Sequence, residues 1–268
     1  MQTFLLIKSL GDALIPFTCL SPEDECKFIV GSHLCPLINE LNLKQRYNID
    51  TIYTGDATPF PLYNIRNTSF NPMILKTLKL RRKIKRIIPR PITSEYTWRE
   101  KVLGLQDFNQ IDSENIYKFY SNFKKINRKD NVSTCTVDCT QKIALLPFTR
   151  QKSKNISKEN LYAILDYAEA TNKKLVHVRF ADEPQLLGFV HEDAIIKKSI
   201  KSLSNKMLEF DLAFCADSFP LHLREFLKLR SFGIYNKFNP YWMPTSLSND
   251  SLYTVGQTTR EELFRKLG

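Results

Sequence analysis

Met1-Gln-Thr-Phe4-Leu-Leu-Ile7-Lys8-Ser9-Leu-Gly11-Asp12-Ala-Leu-Ile-Pro16-Phe-Thr-Cys19-Leu20 is the stretch that decides the architecture. The apolar run Phe4–Ile7 predicts a buried strand, the residues up to Gly11 a glycine turn, and the segment from Asp12 onward a helix opening on an acid. In open α/β sheets, ligands bind in the crevice beyond the carboxyl ends of the strands. Asp12 therefore stands where a carboxylate can meet a substrate. Aspartate is also a good helix cap, and the segment by itself leaves both readings open.

Farther along the chain, Phe28–Val30 and Ile49–Tyr53 read as strands with a helical segment, Pro36–Leu43, between them. That βαβ rhythm implies a parallel sheet. Thr54–Asn71 reads as loop. In Lys76–Arg90 eight of fifteen residues are basic and none is acidic. Leu78, Leu80, Ile84, Ile87 and Ile88 fall on a helical stripe, which predicts a basic amphipathic helix stopped by Pro89. Such a helix is either a solvated face or a dock for anionic lipid head groups or an acidic glycan.

Residues 105–142 are polar, and an inter-domain linker is expected at 132–142. A second alternation begins at the strand Ile143–Phe148. It continues through a helix from Ser157 to Ala170, the strand Lys174–Phe180, a helical stretch at Ile195–Leu208 and the strand Asp211–Cys215. A helix from Ser218 to about Leu229 and the strand Phe232–Tyr235 complete it. The expected fold is thus α/β, with two Rossmann-like halves, 1–140 and 141–268, facing each other across a cleft.

Of the 268 residues, 43% are hydrophobic and 12% aromatic, enough for a substantial core, which excludes global disorder. The net charge of +11 calls for an anionic partner. The six cysteines read as reduced thiols of a cytoplasmic protein. Cys135 and Cys139 have the spacing of half a zinc site, but no second pair occurs at a suitable distance. No apolar run reaches membrane-spanning length and the start does not read as a signal peptide, so any membrane contact should be peripheral, through 76–90. The basic run lacks interleaved aromatics, and no nucleic-acid partner is expected.

Two segments can carry chemistry. Asp217-Ser218-Phe219-Pro220-Leu221-His222 lies between a strand and a helix. Asp217 or Ser218 can cap that helix, Pro220 suits its first turn, and a helix N-terminus suits a diphosphate. An ordinary cap with a half-buried histidine is the competing account. Thr149-Arg150-Gln151-Lys152-Ser153-Lys154 places three cations just past a strand end, where they can offset charge growing on a departing nucleotide or simply be solvated.

Leu6-Ile-Lys-Ser-Leu-Gly-Asp-Ala-Leu14 resembles the opening motif of glycosyltransferase family 9, the bacterial lipopolysaccharide heptosyltransferases. Asp217–His222 resembles that family's second signature, Asp-Ser/Thr-Gly-Pro-x-His. Ser202–Cys215 and Phe232–Pro244 are similar to the segments on either side of it, whereas 55–142 match poorly.

The resemblance implies a GT-B fold, with the acceptor on the first half and the nucleotide-sugar on the second. It implies Asp12 as catalytic base in an inverting single displacement, and Lys154, with Lys152 as its rival, near the donor phosphates. Ser218, Phe219, Pro220 and Leu221 with His222 would hold the diphosphate after Asp217, and Glu183 would bind the donor ribose. The implied donor is ADP-heptose, a substrate rather than a cofactor, and the implied acceptor is anionic lipopolysaccharide core.

Phe219 and Asn236 stand where the family has glycine, and Pro16 comes two residues earlier than the family's helix proline. No Asp-x-Asp occurs, so no metal is expected. The alternatives are a transferase of the same fold using another nucleotide-sugar on a capsule, glycan or protein acceptor, and a non-catalytic binding protein with a degenerate donor site.

Overall fold

β1 (Thr3–Leu6) is the middle strand of a parallel five-stranded sheet in the order β3-β2-β1-β4-β5. Its partners are β2 (Lys27–Gly31), β3 (Asn48–Ile52), β4 (Arg86–Pro91) and β5 (Asn109–Ser113). The computed structural model describes residues 2–6, 9–52, 86–91, 109–125 and 141–268. The chain divides into two compact units, Met1–Arg128 with Pro240–Trp242, and Lys129–Asn239 with Met243–Gly268. The expected boundary at 140/141 and most of the 132–142 linker lie outside the described residues.

In the first unit α1 (Leu10–Cys19) comes after β1. Gly11 is not a turn residue, contrary to expectation. It is buried in the first turn of α1, and Ser9 provides the change of direction as the N-cap. The helix expected over Pro36–Leu43 is α2 (Cys35–Glu40), which stops early; Asn42 then takes a left-handed conformation, φ 53°, and a separate short helix, α3 (Leu43–Arg46), follows.

The basic helix expected at 76–90 is corrected at its end. Arg86–Pro91 is strand β4, paired with β1 through Ile87 and with β5 through Pro91. Two β-branched residues before Pro89 favour extended backbone, and a residue preceding proline is pushed out of the helical region. Pairing with β1 ends before the prolines, which cannot donate to a ladder. Residues 76–85 lie outside the described residues.

The polar stretch after 105 contains an element that its composition hid, α4 (Ile116–Ser121). It is capped by Asn115, whose Oδ1 accepts from the N–H groups of Tyr117 and Lys118. Tyr117, Phe119 and Tyr120 are buried. Phe4 stacks on Phe28 at 5.8 Å and meets Tyr120 and Phe123 edge-on at 5.2 and 5.1 Å. This aromatic cluster is the centre of the first core.

The second unit repeats the winding. β6 (Lys142–Leu146), β7 (Lys174–Phe180), β8 (Glu192–Ile196), β9 (Leu212–Ala216), β10 (Ser231–Tyr235) and β11 (Tyr253–Val255) form a parallel sheet in the order β11-β10-β9-β6-β7-β8. The connecting helices are α5 (Lys158–Ala170), α6 (Ile200–Met207), α7 (Phe219–Phe226), α8 (Thr245–Asn249) and α9 (Arg260–Leu267). β6, β9 and β10 are almost wholly buried, as strands covered on both faces must be.

The helical stretch expected at Ile195–Leu208 is shorter than that. Ile195 and Ile196 end β8, and Ser199 caps α6 by accepting from the Ser202 N–H at 3.0 Å. Arg224 pins the amino edge of this sheet. It is 0% exposed and donates to Ser231 Oγ and to the carbonyls of Met207, Phe210 and Arg230.

Candidate functional site

Both sheets are doubly wound, and each has one point where the chain reverses its direction across the sheet. Ligands bind at that point, outside the carboxyl ends of the strands. In the second unit it lies between β6 and β9. Because all the strands are parallel, the loops after β10, β9, β6 and β7 emerge along one edge in that order. These loops carry Asn236, Asp217, Lys154 and Glu183.

Lys154 ends a 3₁₀ turn (Lys152–Lys154), and its Nζ donates to Asp217 Oδ2 at 2.5 Å, across the reversal point. Asp217 is 11% exposed and Lys154 38%. Two residues from separate sequence motifs thus meet where the topology puts a ligand. Lys152 is exposed, and no partner for it occurs among the described residues. The loop bearing Lys154 is fixed on both sides. The Thr149 N–H donates to Asn155 Oδ1 at 2.8 Å, and Asn236 Nδ2 donates to the carbonyls of Ser153 and Asn155 at 2.7 and 2.9 Å. Asn236, marked in the sequence only by standing in place of a glycine, is therefore a clamp on the lysine loop.

α7 begins directly after Ser218. Ser218 is its N-cap residue, yet its hydroxyl donates back to the Ala216 carbonyl at 3.2 Å and makes no capping bond. The first-turn N–H of Phe219 finds no acceptor among the described residues, and Pro220 has none to offer. Leu221 N–H turns back to Ser218 O at 3.1 Å. An uncapped helix start carries partial positive charge and suits an anion. Phe219 and Pro220 are half-buried, and His222 is 5% exposed within the helix. Tyr235, at the end of β10, is buried with its hydroxyl unpaired among the described residues. Burial, and next the field of Asp217, push that phenol well above its usual range.

Glu183 closes a tight turn after β7. Its Oε2 accepts from the Phe180 N–H at 2.8 Å, and its own N–H donates to the Phe180 carbonyl at 3.1 Å. Burial raises its carboxyl above the ordinary range.

In the first unit the reversal lies between β1 and β4, and the loop after β1 leads to Asp12. Asp12 is the third residue of α1 and completes a capping box. Ser9 N–H donates to Asp12 Oδ2 at 3.2 Å, and Asp12 N–H donates to Ser9 Oγ at 3.4 Å. Asp12 caps the helix with one oxygen, and it stands at the carboxyl edge of the central strand. Oδ1 has no partner among the described residues. Lys8 lies outside them.

No protein-family model and no curated protein matches the sequence. Solved structures do match. Escherichia coli heptosyltransferase WaaC with ADP-2-deoxy-2-fluoro heptose aligns over 100% of this chain and 99% of its own, with a TM-score of 0.60 at 12% identity. The fold is GT-B. A glycosyl transferase family 9 structure from Veillonella parvula covers 99% of this chain and 95% of its own, with a TM-score of 0.57 at 10% identity. A putative UDP-N-acetylglucosamine 2-epimerase from Listeria monocytogenes covers 100% and 86%, with a TM-score of 0.53 at 9% identity. The GT-B fold thus matches the resemblance carried by the two sequence motifs. Among the described residues, no group of three or more His, Cys, Asp or Glu could hold a metal ion, and no helix is long and apolar enough to cross a membrane. Cys135 and Cys139 lie outside them.

Proposed function

We propose that the protein is a glycosyltransferase that moves a sugar from a nucleotide-sugar to a hydroxyl acceptor with inversion and without a metal. One observation carries this reading. The Lys154–Asp217 pair stands at the reversal point of a doubly wound sheet, beside a helix start that has no side-chain cap. A cation and an open helix N-terminus are what a nucleoside diphosphate needs when no metal supplies the positive charge.

In this reading Asp12 is the general base. It takes the proton from the acceptor hydroxyl as that oxygen bonds to the anomeric carbon, and the bond from that carbon to the diphosphate breaks. Lys154 and the start of α7, from Ser218 to Leu221 with His222, hold the departing diphosphate. Glu183 binds the ribose, its free Oε1 accepting from a hydroxyl. Heptose from ADP-heptose is the proposed sugar, since WaaC, similar in fold, was solved with a fluorinated ADP-heptose. The net charge of +11 supports a phosphorylated acceptor such as lipopolysaccharide core. Such an acceptor would place the enzyme at the inner face of the cytoplasmic membrane.

The test is release of nucleoside diphosphate from ADP-heptose in the presence of acceptor and a chelator. Asp12→Asn should lose about a hundred- to ten-thousandfold in rate, the contribution of a general base. Full activity in that variant removes Asp12 from the mechanism. Phe219, where a backbone close to phosphate would favour glycine, supports a second reading with a different nucleotide-sugar. Comparing ADP-, UDP- and GDP-sugars separates the two.

A further inference from the structure

The sheet face beneath the Glu183 turn holds a buried polar chain for which the proposed chemistry has no use. His177 and Arg179 project from the same face of β7, and Asp193 stands opposite His177 on β8. His177 Nδ1 lies 3.1 Å from Asp193 Oδ1, and Arg179 Nε donates to Asp193 Oδ2 at 3.0 Å. His177 is 0% exposed and Arg179 5%. Arg179 Nη1 then reaches past the strand end and donates to the Glu183 carbonyl at 3.1 Å, with a longer bond to the Phe180 carbonyl at 3.4 Å. The turn's inner lock is the Phe180 N–H on Glu183 Oε2.

Taking the Arg179 guanidinium out of water is costly unless its hydrogen bonds offset it, and those bonds go to Asp193 and to the turn. What they fix is one carboxylate oxygen. Oε2 is committed to the backbone, while Oε1 has no partner among the described residues. The guanidinium fork holds the main chain of Glu183 in place, and Asp193 holds the fork. Lysine cannot reproduce this, because its single nitrogen cannot serve Asp193 and the turn carbonyls in fixed directions.

We infer that Arg179, braced by Asp193, is a positioning residue that aims Glu183 Oε1 at a ribose hydroxyl of the nucleotide. This rests on the donor-site reading above. The order of loops along the edge agrees with it: the diphosphate would lie at the β9/β6 reversal and the ribose one strand further, at β7.

The experiment is calorimetric titration of ADP, 2′-deoxy-ADP and 3′-deoxy-ADP into the wild type and into Arg179→Lys. Wild type should bind ADP about tenfold more tightly than one of the deoxy ligands, the loss of one charge-assisted hydrogen bond. Arg179→Lys should erase that preference while binding the affected deoxy ligand as wild type does. A variant that keeps the full preference, or weakens all three ligands equally, overturns the inference and leaves Arg179 a purely structural role. If wild type binds ADP without preferring it to either deoxy ligand, the ribose role of Glu183 fails and the inference with it; if wild type binds none of them, the donor site itself fails. Asp193→Asn, which keeps the shape and removes the charge, is expected to reduce the preference partially. It carries the same comparison if Arg179→Lys does not fold.

Discussion

Lys154 and Asp217 are sixty-three positions apart in sequence and 2.5 Å apart in space, joined by an ion pair across the β6–β9 reversal. A diphosphate arriving at the α7 start would compete with Asp217 for the same ammonium group. The ammonium would pass from one anion to another on binding, and Asp217, 11% exposed, would give up its ion-pair partner.

Asp217→Asn should free the Lys154 head for a ligand. Affinity for inorganic pyrophosphate or ADP is expected to rise several-fold in that variant, and to become more sensitive to salt because the Lys154 charge is no longer compensated. Titration at low and at physiological ionic strength checks this. Unchanged affinity would mean that Lys154 does not contact the ligand.

Asn236 holds the lysine loop through two hydrogen bonds to carbonyls. Asn236→Gly should weaken nucleotide binding about tenfold by releasing Lys154 from its fixed position, with little loss of global stability, because the side chain is exposed. Binding and thermal unfolding measured together separate these effects.

Much of this arrangement is legible in the residues themselves. Strand β7 occupies the expected span, Lys174–Phe180, because a short apolar-rich run with β-branched residues suits a doubly covered strand. The Asp217–His222 motif marks the strand-to-helix junction, and its proline at the second helical position already removes one donor from the first turn. Other features are hidden. Arg86–Pro91 carries enough positive charge to imitate a helix face, and its pairing with β1 and β5 shows that it is extended. The aromatic helix at Ile116–Ser121 lies inside a polar average. His177, Arg179 and Asp193 are brought together across fourteen to sixteen residues, and nothing short of the β7–β8 register does so.

Arg224 is a structural cation with no role in the proposed reaction. It is fully buried, its hydrogen bonds go to carbonyls and to Ser231, and burial lowers it to about 10. Truncation to alanine leaves several buried carbonyls unsatisfied. Arg224→Ala should cost about 3–5 kcal/mol, read as a lower denaturant midpoint with an unchanged slope.

Glu225 accepts from the Ser246 hydroxyl, and burial raises its carboxyl above the ordinary value. A raised folded value means that the unfolded chain releases this proton first. The stability associated with the protonated form is present below about pH 4.5 and is lost as pH rises through the folded value. Glu225→Gln keeps the acceptor and abolishes the charge, so it should stabilise the protein near neutral pH and make little difference in acid. Unfolding curves on both sides of the transition check the sign.

The proposed function depends most on the second unit holding a nucleotide-sugar at Lys154. Calorimetric titration of a non-transferable donor, ADP-2-deoxy-2-fluoro heptose, in the presence of a chelator tests this directly. Saturable binding is predicted for the wild type and for Lys152→Ala, with at least about a tenfold loss in Lys154→Ala. Equal binding by wild type and Lys154→Ala, or no binding by any nucleotide-sugar, would contradict it.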